Sequence, residues 1–291
     1  MADPAGIHLD HVGFIVPDLA AASTLMAQLG FRQTLRADHT RTDEHGHLVS
    51  AGSSQHSIML ENGYIELMQI TDPTQGHQLA QASSVRFGLH ILALGTFNAV
   101  AFHAFCQSRE VAVGPLLHWA RPVKETGADG MARFAYFGSA WSPHDPSYVC
   151  WVQHLTPKLM RPPQLLRHGN GALSLLGVQY RGPRQLAMKW RDQLVAAGAL
   201  PLDAATAQGS AEFELQLPNA RITICVDERL PAVTPHVLML ALSDCAALLA
   251  HCEKLGLAVQ KLAGGGLSVD LTQALGMYWI CQPAPAKGVL P

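Results

Sequence analysis

The sequence predicts an α+β fold made of four successive βαβββ units. Three observations carry that reading. A strand running straight into an amphipathic helix recurs four times. The helices are stopped by glycine at Gly30, Gly198 and Gly256. The last strand of the first unit, YIELMQITDP, returns in the second as YVCWVQHLTP, with the same aromatic start, glutamine and closing proline. An internal repeat of this kind fixes the architecture before any single element is considered.

The first strand is Ile7–Asp18, IHLDHVGFIVPD. Its alternation sends Leu9, His11, Gly13 and Ile15 to one face and Val12, Phe14 and Val16 to the other. Pro17 ends it and Asp18 is the N-cap of a helix that runs to Leu29. A strand is expected near Phe31–Ala37. The polar stretch Asp38–Gln55, with His39, His45 and His47 and with His56 just beyond, is rich in potential metal ligands but reads as a surface loop, one that could also close over a substrate. Ser57–Glu61 and Tyr64–Ile70 then flank Asn62–Gly63, a strong hairpin signal.

In the second unit, strand Phe87–Leu94 precedes a helix near Asn98–Ser108. Strands near Val113–Trp119, Ala132–Phe137 and Tyr148–Leu155 follow. Residues 158–170, with two prolines and three charges, read as a linker. The third unit opens with Leu173–Tyr180 and a helix striped by Leu186, Trp190 and Leu194. The fourth opens with VLMLALSD and a helix from Cys245 to Leu255.

The chain has 291 residues, 48% of them apolar and 14% charged, which is enough for about two domains with ample cores. A net charge of −2 argues against nucleic acid or an anionic membrane as a main partner. No apolar run reaches a membrane span, and the start lacks the pattern of a signal peptide. The six cysteines form no CxxC pair, so a reduced, cytoplasmic protein is expected. There is no phosphate loop at Gly264–Gly266 and no GxSxG or HExxH motif.

The segments LDHVGFIVPDLAAASTLMAQLGF, GYIELMQI and VCWVQHLTP followed by RHGNGA resemble glyoxalase-like domain proteins of the vicinal oxygen chelate superfamily. That superfamily is the glyoxalase, bleomycin-resistance and extradiol dioxygenase fold. The resemblance implies that the units pair into two cup-shaped mixed sheets as tandem domains. Residues 1–157 would be a domain with a metal site, and 171–291 a degenerate copy. It further implies a divalent metal (Fe, Mn, Zn or Ni) bound from the first and last strands of paired units.

Carried over position by position, the metal ligands are His11, Glu66 and His90, with Cys150 in the fourth place. Two imidazoles and a carboxylate suit such a cation. Glu66 lies in an apolar strand, where an unpaired carboxylate is costly, although a wet strand face is the plain alternative. Cys150 is either a soft ligand or an inert small residue. His154 shares its strand face, either as an acid or base at the cup mouth or as a strand-end residue. In the C-terminal half, Gly177 and Leu238 stand where the histidines would be, so no second metal site is expected. That half completes the fold, covers the first cup or forms a homodimer contact.

Two functions follow from the resemblance. One is a metal-dependent lyase, isomerase or dioxygenase that chelates neighbouring oxygens of a small substrate. The other is a non-catalytic small-molecule binding or resistance protein.

Overall fold

Leu9, Val12 and Phe14 are fully buried, and the strand they define, His8–Ile15 (β1), lies inside the first of two sheets. The computed structural model describes residues 6–42, 45, 47–75, 77–125, 128–142, 144–202 and 212–284. After β1 come helix Leu19–Gln28 (α1) and strands Ala37–Thr42 (β2), Leu48–Met59 (β3) and Tyr64–Ile70 (β4). The second unit has Gly88–Gly95 (β5), helix Ala99–Ser108 (α2), Leu117–Glu125 (β6), Ala128–Gly138 (β7) and Tyr148–His154 (β8). The first sheet has the order β2-β3-β4-β1-β5-β8-β7-β6. Only β1/β4 and β5/β8 pair in parallel. These are the first and last strands of each unit, so they are brought side by side in the middle of the sheet.

The C-terminal half repeats this plan. Its strands are Ala172–Gly182 (β9), Leu200–Pro201 (β10), Phe213–Leu217 (β11), Ala220–Val226 (β12), Thr234–Leu242 (β13), Val259–Lys261 (β14), Leu267–Leu271 (β15) and Met277–Pro283 (β16). Helices Arg184–Ala196 (α3) and Cys245–Leu255 (α4) follow β9 and β13. The order is β10-β11-β12-β9-β13-β16-β15-β14. The expected α+β architecture of tandem mixed sheets is therefore observed.

The repeat shows in hydrogen bonds as well as in pattern. Asp18 and Asn98 cap α1 and α2 by accepting from Ala21 N–H and Ala101 N–H. The repeated glutamines of the last strands reach the same helix starts. Gln69 Oε1 accepts from Leu19 N–H and Gln153 Oε1 from Ala99 N–H.

The strand expected near Phe31–Ala37 does not form, because ladder pairing begins only at Ala37, the first residue of β2. The polar stretch Asp38–Gln55 is not a loop: β2 and most of β3 form a hairpin whose backbone groups are paired. Its serines reduce intrinsic strand preference, but ladder pairing and burial decide the outcome. Ser53, Ser54, Gln55 and Ser57 are all buried. Residues 158–170 join the two halves and are packed in place. Met160, Leu165 and Asn170 are buried, and Asn170 Nδ2 donates to the Leu29 carbonyl.

The halves share one core, in which Trp279 of β16 packs against Phe14 and Phe31. Two hairpin turns also clasp across the join. Asn62, in the β3–β4 turn, accepts from Leu175 N–H and donates to Leu175 O. Asn219, in the β11–β12 turn, does the same for Leu9. Among the described residues no helix is long and apolar enough to cross a membrane. None of the six cysteines is in a disulfide.

Candidate active site

The site begins with an irregularity in β1. Its pairing with β5 shifts between Leu9, opposite Leu94, and His11, opposite Ala93, leaving Asp10 as an extra residue. Such a bulge re-aims side chains, and here the neighbours Asp10 and His11 meet. His11 Nδ1 donates to Asp10 Oδ2 at 2.8 Å, and His154 Nε2 donates to Asp10 Oδ1 at 2.9 Å. Asp10 is 1% exposed. Burial opposes its ionisation, but hydrogen bonds from the two imidazoles overcome that and hold its carboxyl far below the usual range.

With its proton on Nδ1, His11 presents a free Nε2 lone pair. The ring is stacked on Tyr64 at 4.2 Å between centroids. Its Nε2 lies 4.0 Å from Glu66 Oε2, and the other oxygen, Oε1, lies 3.5 Å from His39 Nε2. His39 Nδ1 in turn meets Ser53 Oγ at 2.7 Å. Glu66 is buried too. Burial works against its charge, yet His39, His11 and Arg121 together lower its pKa. The neighbouring His77 accepts from Leu79 N–H at Nδ1, and burial pushes its pKa down to about 4. An imidazole that accepts at Nδ1 is neutral and carries its proton on Nε2.

These groups open on a cavity of about 130 Å³ whose other walls include Trp119, Phe134, Tyr136 and Tyr148. A larger hollow of about 660 Å³ lies beside α3, but none of the predicted site residues lines it.

The structure brings together His11, Glu66 and Cys150 around the cavity. Cys150 packs with Ile15, Met68, Ile91, Ala93 and Tyr148, and burial pushes its thiol pKa far up, so it is a neutral thiol. His154 does not line the cavity; it stands behind Asp10. His90 is not brought to the group. It is wholly buried, with Nδ1 against the Gly88 carbonyl and Nε2 without a partner.

The reason for the error is a one-residue slip, which in a strand changes a side chain's face. Aligning the helix caps Asp18 and Asn98 sets His90 opposite Asp10 and Ile91 opposite His11. His90 is itself skipped in the β1–β5 pairing, which passes from Ile91 to Leu89. Sequence reading also missed Asp10 and His77, and it set His39 aside as one of several histidines of a surface loop. The cap alignment would have exposed Asp10, whereas His39 had no signal beyond a polar strand mistaken for a loop.

His77 and His90 give the fold a pH dependence. Burial lowers both to about 4 from 6.5. Between those values the unfolded chain holds protons that the folded chain refuses, so their contribution is present above pH 6.5 and lost towards pH 4. At 1.36 kcal/mol per unit the loss is at most about 3 kcal/mol for each. Urea midpoints measured from pH 7 to 4 should therefore fall, and fall less steeply in His90→Leu. Equal slopes would remove His90 from this account.

A family model described as a glyoxalase-like domain matches residues 9–195. The chain belongs to the glyoxalase-like domain family. The match spans β1 to α3 and so includes every residue of the site. A hypothetical protein from Staphylococcus aureus has a similar structure, with a TM-score of 0.67 and 11% identity, covering 96% of this chain and all of that one. So has a mutant 4-hydroxymandelate synthase from Streptomyces coelicolor, with a TM-score of 0.61, 13% identity and coverage of 99% and 95%. The Mn(II)-bound glyoxalase from Novosphingobium aromaticivorans gives a TM-score of 0.56 and 12% identity, covering 96% and 88%. At these identities the likeness concerns the fold. No curated protein matches the chain in sequence.

The fold suggests a divalent metal, and the donor set tests that suggestion. The corresponding first- and last-strand positions are His11, Glu66, Ile91 and Cys150, of which Ile91 has no donor and Cys150 is a neutral thiol. Among the described residues no three His, Cys, Asp or Glu side chains form a group able to hold a metal ion. As placed, the residues do not fit the four-position site.

Proposed function

We propose that this glyoxalase-like protein is an enzyme of the lyase or isomerase type that moves a proton on a small carbonyl substrate, with His11 as the general base. The observation that carries the reading is the buried Asp10–His11 hydrogen bond, which fixes the ring's tautomer and leaves Nε2 free on the cavity side. Asp10 also favours the imidazolium that forms when His11 takes a proton. Stacking on Tyr64 holds the ring plane, and His77 offers a neutral N–H to a developing negative charge on the substrate.

The test is solvent-deuterium incorporation, followed by NMR, across a panel of small aryl ketones and 2-oxo acids. Wild type should catalyse exchange beside the carbonyl, His11→Gln should lose it about 10²–10⁴-fold, and His90→Leu should retain it. Binding of panel members without exchange would make the protein a non-catalytic binder on this fold.

A second reading keeps a divalent metal on a different ligand set. The imidazoles of His11 and His39 face the two oxygens of Glu66, and these three residues would be the ones to hold it. Such a metal would act as a Lewis acid towards substrate oxygens. Dioxygenase chemistry belongs to this reading alone. Elemental analysis of protein purified without added metal decides it: one metal per chain, lost in His39→Ala, supports this reading, and metal-free protein that still catalyses exchange rejects it.

A further inference from the structure

We propose that Asn219, from the half of the chain that lacks the site, is a positioning residue for the Asp10–His11 pair. This rests on the reading of that pair as the working base. The bulge in β1 begins just after Leu9, and β4 starts alongside only at His11, opposite Tyr64. Leu9 thus turns one side of its backbone away from any strand of its own sheet. Asn219 fills that side completely, accepting from Leu9 N–H at 2.8 Å and donating to Leu9 O at 2.9 Å. The amide acts as a one-residue strand that fastens the backbone immediately before Asp10.

Asn219 is held in turn by the opposite turn, where its Nδ2 also reaches the Asn62 carbonyl at 3.2 Å. Gly63 closes the arrangement from the other side. A Cβ there would stand 2.7 Å from Asp10 O, so the turn presses directly on the bulge. A bulged residue lacks full ladder support. The angle at which Asp10 meets His11 and His154 is therefore set from outside the sheet. The C-terminal half thereby gains a role in the site without contributing a group to it.

Asn62 supplies the comparison, because it makes the same pair of bonds to Leu175 in β9 and its side chain touches Asn219 only by a 3.4 Å bond from Nδ2 to the Asn219 carbonyl, leaving the Asn219 bonds to Leu9 intact. The experiment uses the full chain with ¹⁵N-labelled histidine and follows the His11 Nδ1 proton and its exchange with solvent. In Asn219→Ala that proton should exchange about tenfold faster, as expected when a local opening loses two ordinary hydrogen bonds. Asn219→Asp, which keeps the acceptor but not the donor, should fall between. Asn62→Ala should lose comparable denaturant resistance yet leave the His11 signal as in wild type.

Equal effects of Asn219→Ala and Asn62→Ala on that proton, or no effect of either, overturn the proposal. Should Asn219→Ala not fold, Asn219→Asp alone is compared with Asn62→Ala by the same criterion. The readout needs no substrate, so failure of the proton-transfer reading in the deuterium assay is seen separately.

Discussion

Asp10→Ala should cost about 3–5 kcal/mol of folding stability, the penalty for removing one partner of a buried charged cluster. Two imidazole N–H groups, on His11 and His154, lose their acceptor at once. The more informative change is Asp10→Asn. Its single carbonyl oxygen can serve only one of the two rings, and its NH₂ group forces the other to turn its lone pair inwards. Where the ring so turned is His11, the proton moves to Nε2 and the base is lost, so carbonyl exchange should drop about 10²–10⁴-fold.

The pH sign follows from the depressed pKa of Asp10. Its stabilisation is present above the unfolded value of 3.8 and is lost only as pH falls towards the much lower folded value. The variants should therefore be weaker than wild type at neutral pH and approach it only under strong acid. Chemical denaturation at pH 7 and in strong acid checks this, and an undiminished gap at the acid end would refute the charged role of Asp10.

Trp279→Ala should be as damaging, by about 3–5 kcal/mol, because a fully buried indole leaves a large cavity. Its neighbours Phe14 and Phe31 belong to the N-terminal half, so the loss should be felt in both sheets. Urea unfolding followed by fluorescence and by circular dichroism should show one coincident transition, shifted as a whole. Trp279→Phe provides the contrast. The indole Nε1 is buried without a partner, so removing it relieves an unsatisfied donor while most of the packing stays. That variant should lie much closer to wild type. Two separated transitions in Trp279→Ala would mean that the halves fold independently.

The architecture was legible because each unit repeats physical signals that do not depend on distant contacts. Caps at Asp18 and Asn98, glutamines at Gln69 and Gln153, and the Asn62–Gly63 turn all lie where their local chemistry requires. The site was legible only in part. His11 and Glu66 stood out as polar residues in apolar strands, and both line the cavity. His90 stood out equally, but a bulge carries it past the pairing that would have aimed it like His11. A bulge changes side-chain direction without leaving a mark in hydrophobic alternation. Asp10 was hidden by the same device. His39 was ranked as a loop residue because a strand rich in serine and charge looks like a loop until its ladder partners are known.

The exchange of acid for imidazole between Asp10 and His90 has a consequence for stoichiometry. Two equivalent places in duplicated strands have taken opposite characters. One became the carboxylate on which two rings converge, and the other an isolated ring enclosed in protein. Among the described residues, a chain assembled from four copies of one unit thus offers one seat of this kind, and titration with any guest of the cavity should saturate at a single molecule per chain.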